Sequence, residues 1–79
     1  MEKKVRIYST PTCPYCIRAK AFLTEHGIPF EDINVAADAT ARQEMMSKTG
    51  QMGVPVIQIG ETIIVGFDRS AIARALGIE

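Results

Sequence analysis

The run Val5-Arg6-Ile7-Tyr8-Ser9-Thr10-Pro11-Thr12-Cys13-Pro14-Tyr15-Cys16 passes from a strand pattern to a helix pattern and carries both cysteines of the chain. From Val5 to Tyr8 the residues alternate, with Val5 and Ile7 on one side, as a strand with one apolar face requires. Ser9 to Thr12 turn the chain. Pro14 then marks a helix start, because proline lacks the N–H that the first helical position has no partner for. Cys13 is thereby the cap. The free N–H groups of the first turn and the positive end of the helix dipole face its sulfur, so Cys13 is expected to be acidic and reactive. Cys16, three residues on, shares the same helical face. It lies within disulfide reach of Cys13 but deeper and less exposed to the dipole.

An acidic thiol gains little as an attacker, because its larger thiolate fraction is offset by lower nucleophilicity. It gains as a leaving group when Cys16 strikes a mixed disulfide between Cys13 and a substrate. The motif therefore reads as tuned for exchange. A structural disulfide would join distant segments of a secreted chain, whereas this pair would close a loop of only four residues in a chain that is not expected to be exported. Structural zinc needs four ligands, and beyond the two thiols one chain offers only His26 and carboxylates. A dimer sharing thiols is the arrangement that could hold a metal or an iron–sulfur cluster.

With 79 residues and a 47% hydrophobic share, the chain is expected to form a single domain, residues 1–79, near the smallest size that a hydrophobic core sustains without staples. Formal net charge is zero with acids and bases interspersed, which argues against a nucleic-acid footprint or a polybasic membrane patch. A reducing cytoplasm is the expected location, and there a CxxC pair is more often catalytic than structural.

Pro14 to His26 is expected to be helical, with Ala19, Phe22 and Leu23 as its apolar stripe, Arg18, Lys20 and Glu25 toward solvent, and Gly27 and Pro29 ending it. Phe30 to Val35 reads as a second strand. Strand, helix and strand in this order imply a parallel pair with a right-handed crossover, which puts Cys13 at the carboxyl edge of the sheet, where open α/β sheets bind ligands. Asp38 caps a second helix running to about Lys48, with Ala41, Met45 and Met46 inward and Gly50 as the stop. Val54 to Ile59 and Thr62 to Val65 form an antiparallel hairpin through Gly60-Glu61. Pro55 fits the start of its strand, and the residues alone leave both a cis and a trans Val54–Pro55 bond open. Asp68 caps a third helix with Ile72, Ala75 and Leu76 inward and Gly77 as its end.

Taken together, CPYC at a helix start, Val54-Pro55, the hairpin and Gly66-Phe67-Asp68 resemble the glutaredoxins over essentially the whole chain. The resemblance implies an α/β fold of thioredoxin-like type: three layers, with a four-stranded mixed sheet flanked by three helices and Val54–Pro55 cis. It implies Cys13 as nucleophile, Cys16 as resolving thiol, and a groove for substrate or glutathione made by Thr12, Tyr15, Gln51, Val54, Pro55, Gly66, Phe67 and Asp68. An extended cysteinyl substrate would pair with the Val54 backbone like an added strand.

The chain departs from the family pattern where glutathione is held. Thr10 stands where a lysine is usual, Gly53 replaces the threonine of Thr-Val-Pro, and Arg69 replaces the second acid after Gly66. Weaker glutathione affinity is the expected consequence. The chain is thus also similar to the glutaredoxin-like redoxins that reduce ribonucleotide reductase and are recycled by thioredoxin reductase. The expected function is dithiol–disulfide exchange on protein or small-molecule disulfides by a cytoplasmic monomer. Thioredoxin reductase or glutathione would be the reductant, and no tightly bound cofactor, metal, nucleic acid or membrane is expected. Glutathione-dependent deglutathionylation is the first alternative, and a dimeric iron–sulfur carrier the second. His26, at a helix end, is expected to interact with the dipole and not to act as a base.

Overall fold

A computed structural model describes residues 4–50 and 53–78. The elements run β1 (Val5–Ser9), α1 (Pro14–Glu25), β2 (Glu31–Asn34), α2 (Ala39–Thr49), β3 (Val56–Ile59), β4 (Thr62–Val65) and α3 (Arg69–Leu76). The strands lie in the order β2-β1-β3-β4, with β1 parallel to β2 and antiparallel to β3, and β3 antiparallel to β4. This is the expected mixed sheet.

Period-two alternation sorts the side chains to the two faces. Val5, Ile7, Ile57, Ile59 and Ile64 point to one face and meet Ala19, Phe22 and Leu23 of α1 and Ile72 of α3. Tyr8 and Val56 point to the other and meet Ala41 and Met45 of α2, with Val35 beside them. Helices therefore cover both faces in three layers. Ile7, Leu23, Ile57 and Ile72 are fully buried, and each contributes roughly 1.5–3 kcal/mol by leaving water.

Each helix stop is where a glycine can take positive φ: 65° at Gly27, 75° at Gly50 and 72° at Gly77. The β3–β4 loop is two residues long, Ile59 pairing with Thr62. Gly60 is left-handed at φ 61° and Glu61 is not, which suits a hairpin turn with glycine first.

Four expectations need adjusting. β1 continues to Ser9, because the Ser9 carbonyl accepts the Val35 N–H at 3.0 Å and prolongs the parallel ladder. β2 is shorter than Phe30 to Val35: Asn34 Oδ1 accepts the Ala36 N–H at 2.9 Å and starts a turn. β3 begins at Val56, leaving Val54 and Pro55 ahead of the ladder. Met46 is 40% exposed instead of inward. Ala41 and Met45 are four apart and share the buried stripe, whereas Met46 lies about 100° further round the helix.

Candidate active site

Sheet topology brings three separate segments to one edge. β1 ends at Ser9 and delivers the 10–13 loop to the first turn of α1. β3 runs opposite to β1, with Tyr8 opposite Val56, so Val54 and Pro55 lie beside that loop. β4 ends opposite the start of β3, with Val65 opposite Val56, and the Gly66 N–H donates to the Pro55 carbonyl at 2.7 Å. Gly66 has φ 84°, with nothing within 4 Å of the position a Cβ would take. Glycine is needed there for its backbone angle, not for space.

Cys13 is the N-cap of α1, with extended backbone (φ −86°, ψ 114°), and Pro14 follows as the first helical residue. Its half-buried sulfur accepts the Cys16 N–H at 3.3 Å and lies 3.9 Å from the Val54 carbonyl, toward which the thiol donates. The Val54–Pro55 bond is cis. Cys16, in contrast, has no exposed surface. Both thiols are free. Burial pushes the Cys16 thiol up to about 11, helped by its hydrogen bond to Cys13 and the Cys13 charge; the Thr10 backbone and the Lys20 ammonium oppose the rise.

Lys20 is not the freely solvated residue expected. Its Nζ donates to Asp32 Oδ2 at 2.9 Å, and Asp32 Oδ1 accepts the hydroxyl of buried Ser9 at 2.8 Å. Burial raises the Asp32 carboxyl, but the hydrogen bonds from Lys20 and Ser9 and the Lys20 charge outweigh it, so it sits below its ordinary value. Lys20 follows Cys16 by one helical turn, so this network holds a cation close to the buried thiol. Sequence reasoning missed it. The signal was the alternation of β2, which places Asp32 on the same side as Phe30, facing α1, where a carboxylate needs a partner.

Thr12, Tyr15, Phe67 and Asp68, expected to line the groove, lie on the segments that meet at this edge. Tyr15 is 58% exposed, with the Arg18 guanidinium 5.6 Å from its ring centroid. Thr12 is exposed, while Val54, Gly66 and Phe67 are half-buried. Phe67 meets Phe22 edge-on at 6.2 Å between centroids. Asp68 caps α3, accepting the Ala71 N–H at 3.1 Å. Gln51 lies outside the described residues. His26 is the C-cap of α1, its ring 4.5 Å from that of Phe22. No described helix is long and apolar enough to cross a membrane.

Comparison with known proteins gives one consistent picture. The family model described as Glutaredoxin matches residues 5–64. An uncharacterized glutaredoxin-like 8.6 kDa protein in the rubredoxin operon of Clostridium pasteurianum is 49% identical over 72 residues, covering 91% of this chain and 96% of its own. Glutaredoxin 3 of Escherichia coli is 42% identical over 64 residues, 81% of this chain and 77% of that one. Among solved structures, the glutaredoxin-like NrdH-redoxin of Escherichia coli, described as having a thioredoxin-like activity profile, superposes with a TM-score of 0.80 at 30% identity. That superposition covers 90% of this chain and 92% of that one.

Proposed function

The chain belongs to the glutaredoxin family and is a thiol–disulfide oxidoreductase; within that class we propose that it reduces protein disulfides by a two-thiol route, with Cys13 attacking and Cys16 resolving. The observation that carries this assignment is the unequal setting of the two sulfurs. One is half-exposed and receives a backbone N–H at 3.3 Å; the other is fully buried one turn away.

Cys13 attacks as a thiolate, its sulfur placed at the start of α1 where it receives the Cys16 N–H. Its electron pair forms a bond to one substrate sulfur, and the other leaves as thiolate and takes a proton. The substrate segment lies extended beside Val54, whose carbonyl faces the Cys13 sulfur. In the resulting mixed disulfide, Cys13 has lost both its charge and its thiol hydrogen bond. Two of the three effects that raise Cys16 are then gone, while Thr10 and Lys20 still lower it. Cys16 therefore ionises more readily in the intermediate than in the resting protein. It attacks Cys13, the substrate's second thiolate departs, and a Cys13–Cys16 disulfide remains.

Thioredoxin reductase is the proposed recycling partner. Thr10, Gly53 and Arg69 occupy positions where the family holds glutathione with other side chains, and the superposed NrdH-redoxin has a thioredoxin-like profile. The oxidised protein is supplied with NADPH and either thioredoxin reductase or glutathione plus its reductase. Faster reduction by thioredoxin reductase is expected, and turnover with glutathione alone would overturn the assignment. Cys16→Ser is expected to abolish protein disulfide turnover and to trap the substrate on Cys13.

A further inference from the structure

Beside the redox edge, α1 and the start of α3 leave a cleft of about 270 Å³ between them. Two arginines line it. Arg18 leans over the Tyr15 ring, and the Arg69 guanidinium lies 5.5 Å from the centroid of Phe22, with Phe67 completing the apolar floor. Among the described residues, ion pairs form between Arg6 and Glu31 and between Lys20 and Asp32; neither Arg18 nor Arg69 has a carboxylate partner. Stacking on an aromatic face holds a guanidinium in place while leaving its N–H fork free to meet a carboxylate in plane. The one acid lining the cleft, Glu25, comes seven residues after Arg18, about 10 Å further along α1. Asp68 lies next to Arg69, but its carboxylate accepts the Ala71 N–H.

The cleft opens from the segments that carry the thiol site. Arg18 stands one turn past Tyr15 of the CPYC run and over its ring, and Phe67 follows Gly66, which is bonded to Pro55. We infer that Arg18 and Arg69 form a docking cleft for a carboxylate-rich segment flanking the substrate cysteines, so that acidic disulfide polypeptides are the preferred substrates. This inference rests on the exchange activity above and adds the substrate class. Charge complementarity selects the occupant: two cations with no ion pair among the described residues, over an apolar floor, suit Asp or Glu side chains on a polypeptide and disfavour basic ones. Exposed Tyr15, at 58% and beneath the Arg18 guanidinium, gives the same segment apolar contact close to the thiols.

The test uses synthetic peptides with one intramolecular disulfide flanked by glutamates, by glutamines or by lysines, together with glutathione disulfide. For each, kcat/KM is measured with the reduced protein at low and high salt. At low salt the acidic peptide is expected to be reduced about fivefold faster than the neutral one, and the difference should shrink as salt rises. In Arg18→Gln/Arg69→Gln the acidic-to-neutral ratio should approach one, and Arg18→Glu/Arg69→Glu should favour the lysine peptide. Equal rates for all peptides in the unaltered protein would overturn the docking inference and leave the exchange activity standing. So would a preference for glutathione disulfide over the acidic peptide, or an acidic preference that survives both double variants. Failure to reduce any peptide would overturn both.

Discussion

The three described helices begin in the same way, and only one of them begins with sulfur. α2 is capped by Asp38, whose Oδ1 accepts the Ala41 N–H at 3.0 Å, and α3 by Asp68, whose Oδ1 accepts the Ala71 N–H at 3.1 Å. α1 repeats the geometry with Cys13 Sγ and the Cys16 N–H at 3.3 Å. A carboxylate arrives at a helix start already charged and stays there. A sulfur in the same place, in the exchange proposed above, is lent to a substrate and returned. The third position differs too: alanine in α2 and α3, an ionisable and fully buried thiol in α1. One turn beyond it stand Met45 and Ala75 in α2 and α3, but Lys20 in α1. The helix start proposed to react is thus an ordinary cap with three side chains exchanged.

Replacing the sulfur should break the comparison most severely. Cys13→Ser leaves a good capping oxygen, so stability in a urea titration should be unchanged or slightly higher, while insulin disulfide reduction disappears. Loss of stability together with activity would show that the sulfur serves structure as much as chemistry.

Next in size is an alkaline effect confined to α1. Cys16 ionises near 9.0 when unfolded and near 11 when folded. The unfolded chain therefore gives up this proton first, and stability falls as pH rises through that window. The contribution lost by pH 11 is on the order of 2 kcal/mol. Cys16→Ser should flatten the fall between pH 9 and 11 relative to the unaltered protein, and parallel curves would contradict the assignment.

Asp38→Ala should cost about 1 kcal/mol in denaturant unfolding, as loss of an N-cap does, with insulin reduction retained. A drop in activity without a drop in stability would contradict a purely structural cap.

The smallest effect expected is from Lys20→Met, which keeps much of the stem and removes the charge that opposes the rise of Cys16. Release of a trapped mixed disulfide should slow by about fivefold, with its pH profile moved upward. Lys20→Arg should restore much of the rate, whereas a merely structural lysine would leave the profile in place.

What the sequence disclosed follows from how local each feature is. Caps at Cys13, Asp38 and Asp68, stops at Gly27, Gly50 and Gly77, and the Gly60-Glu61 turn are written in a few adjacent residues, and all stand as read. The placing of Cys13 at the start of α1 with Cys16 buried one turn on was legible for the same reason. Its surroundings were less so. The Ser9–Asp32–Lys20 network joins residues 12 and 23 positions apart, and depends on strand register and helix rotation together. Met46 was misplaced because the stripe of α2 runs through Ala41 and Met45 and leaves Met46 about 100° beyond it, and composition does not say which of two adjacent methionines turns outward. The stacking of Arg69 on Phe22 requires α1 and α3 to meet over the sheet, which no local pattern encodes.

The central claim is that neighbouring cysteines divide the labour because one sulfur sits at an open helix start and the other is sealed beneath it. The reduced protein, treated at neutral pH with less than one equivalent of iodoacetamide and then mapped by peptide mass spectrometry, tests this directly. Label on Cys13 alone is the result predicted. Equal labelling, or label first on Cys16, would contradict it.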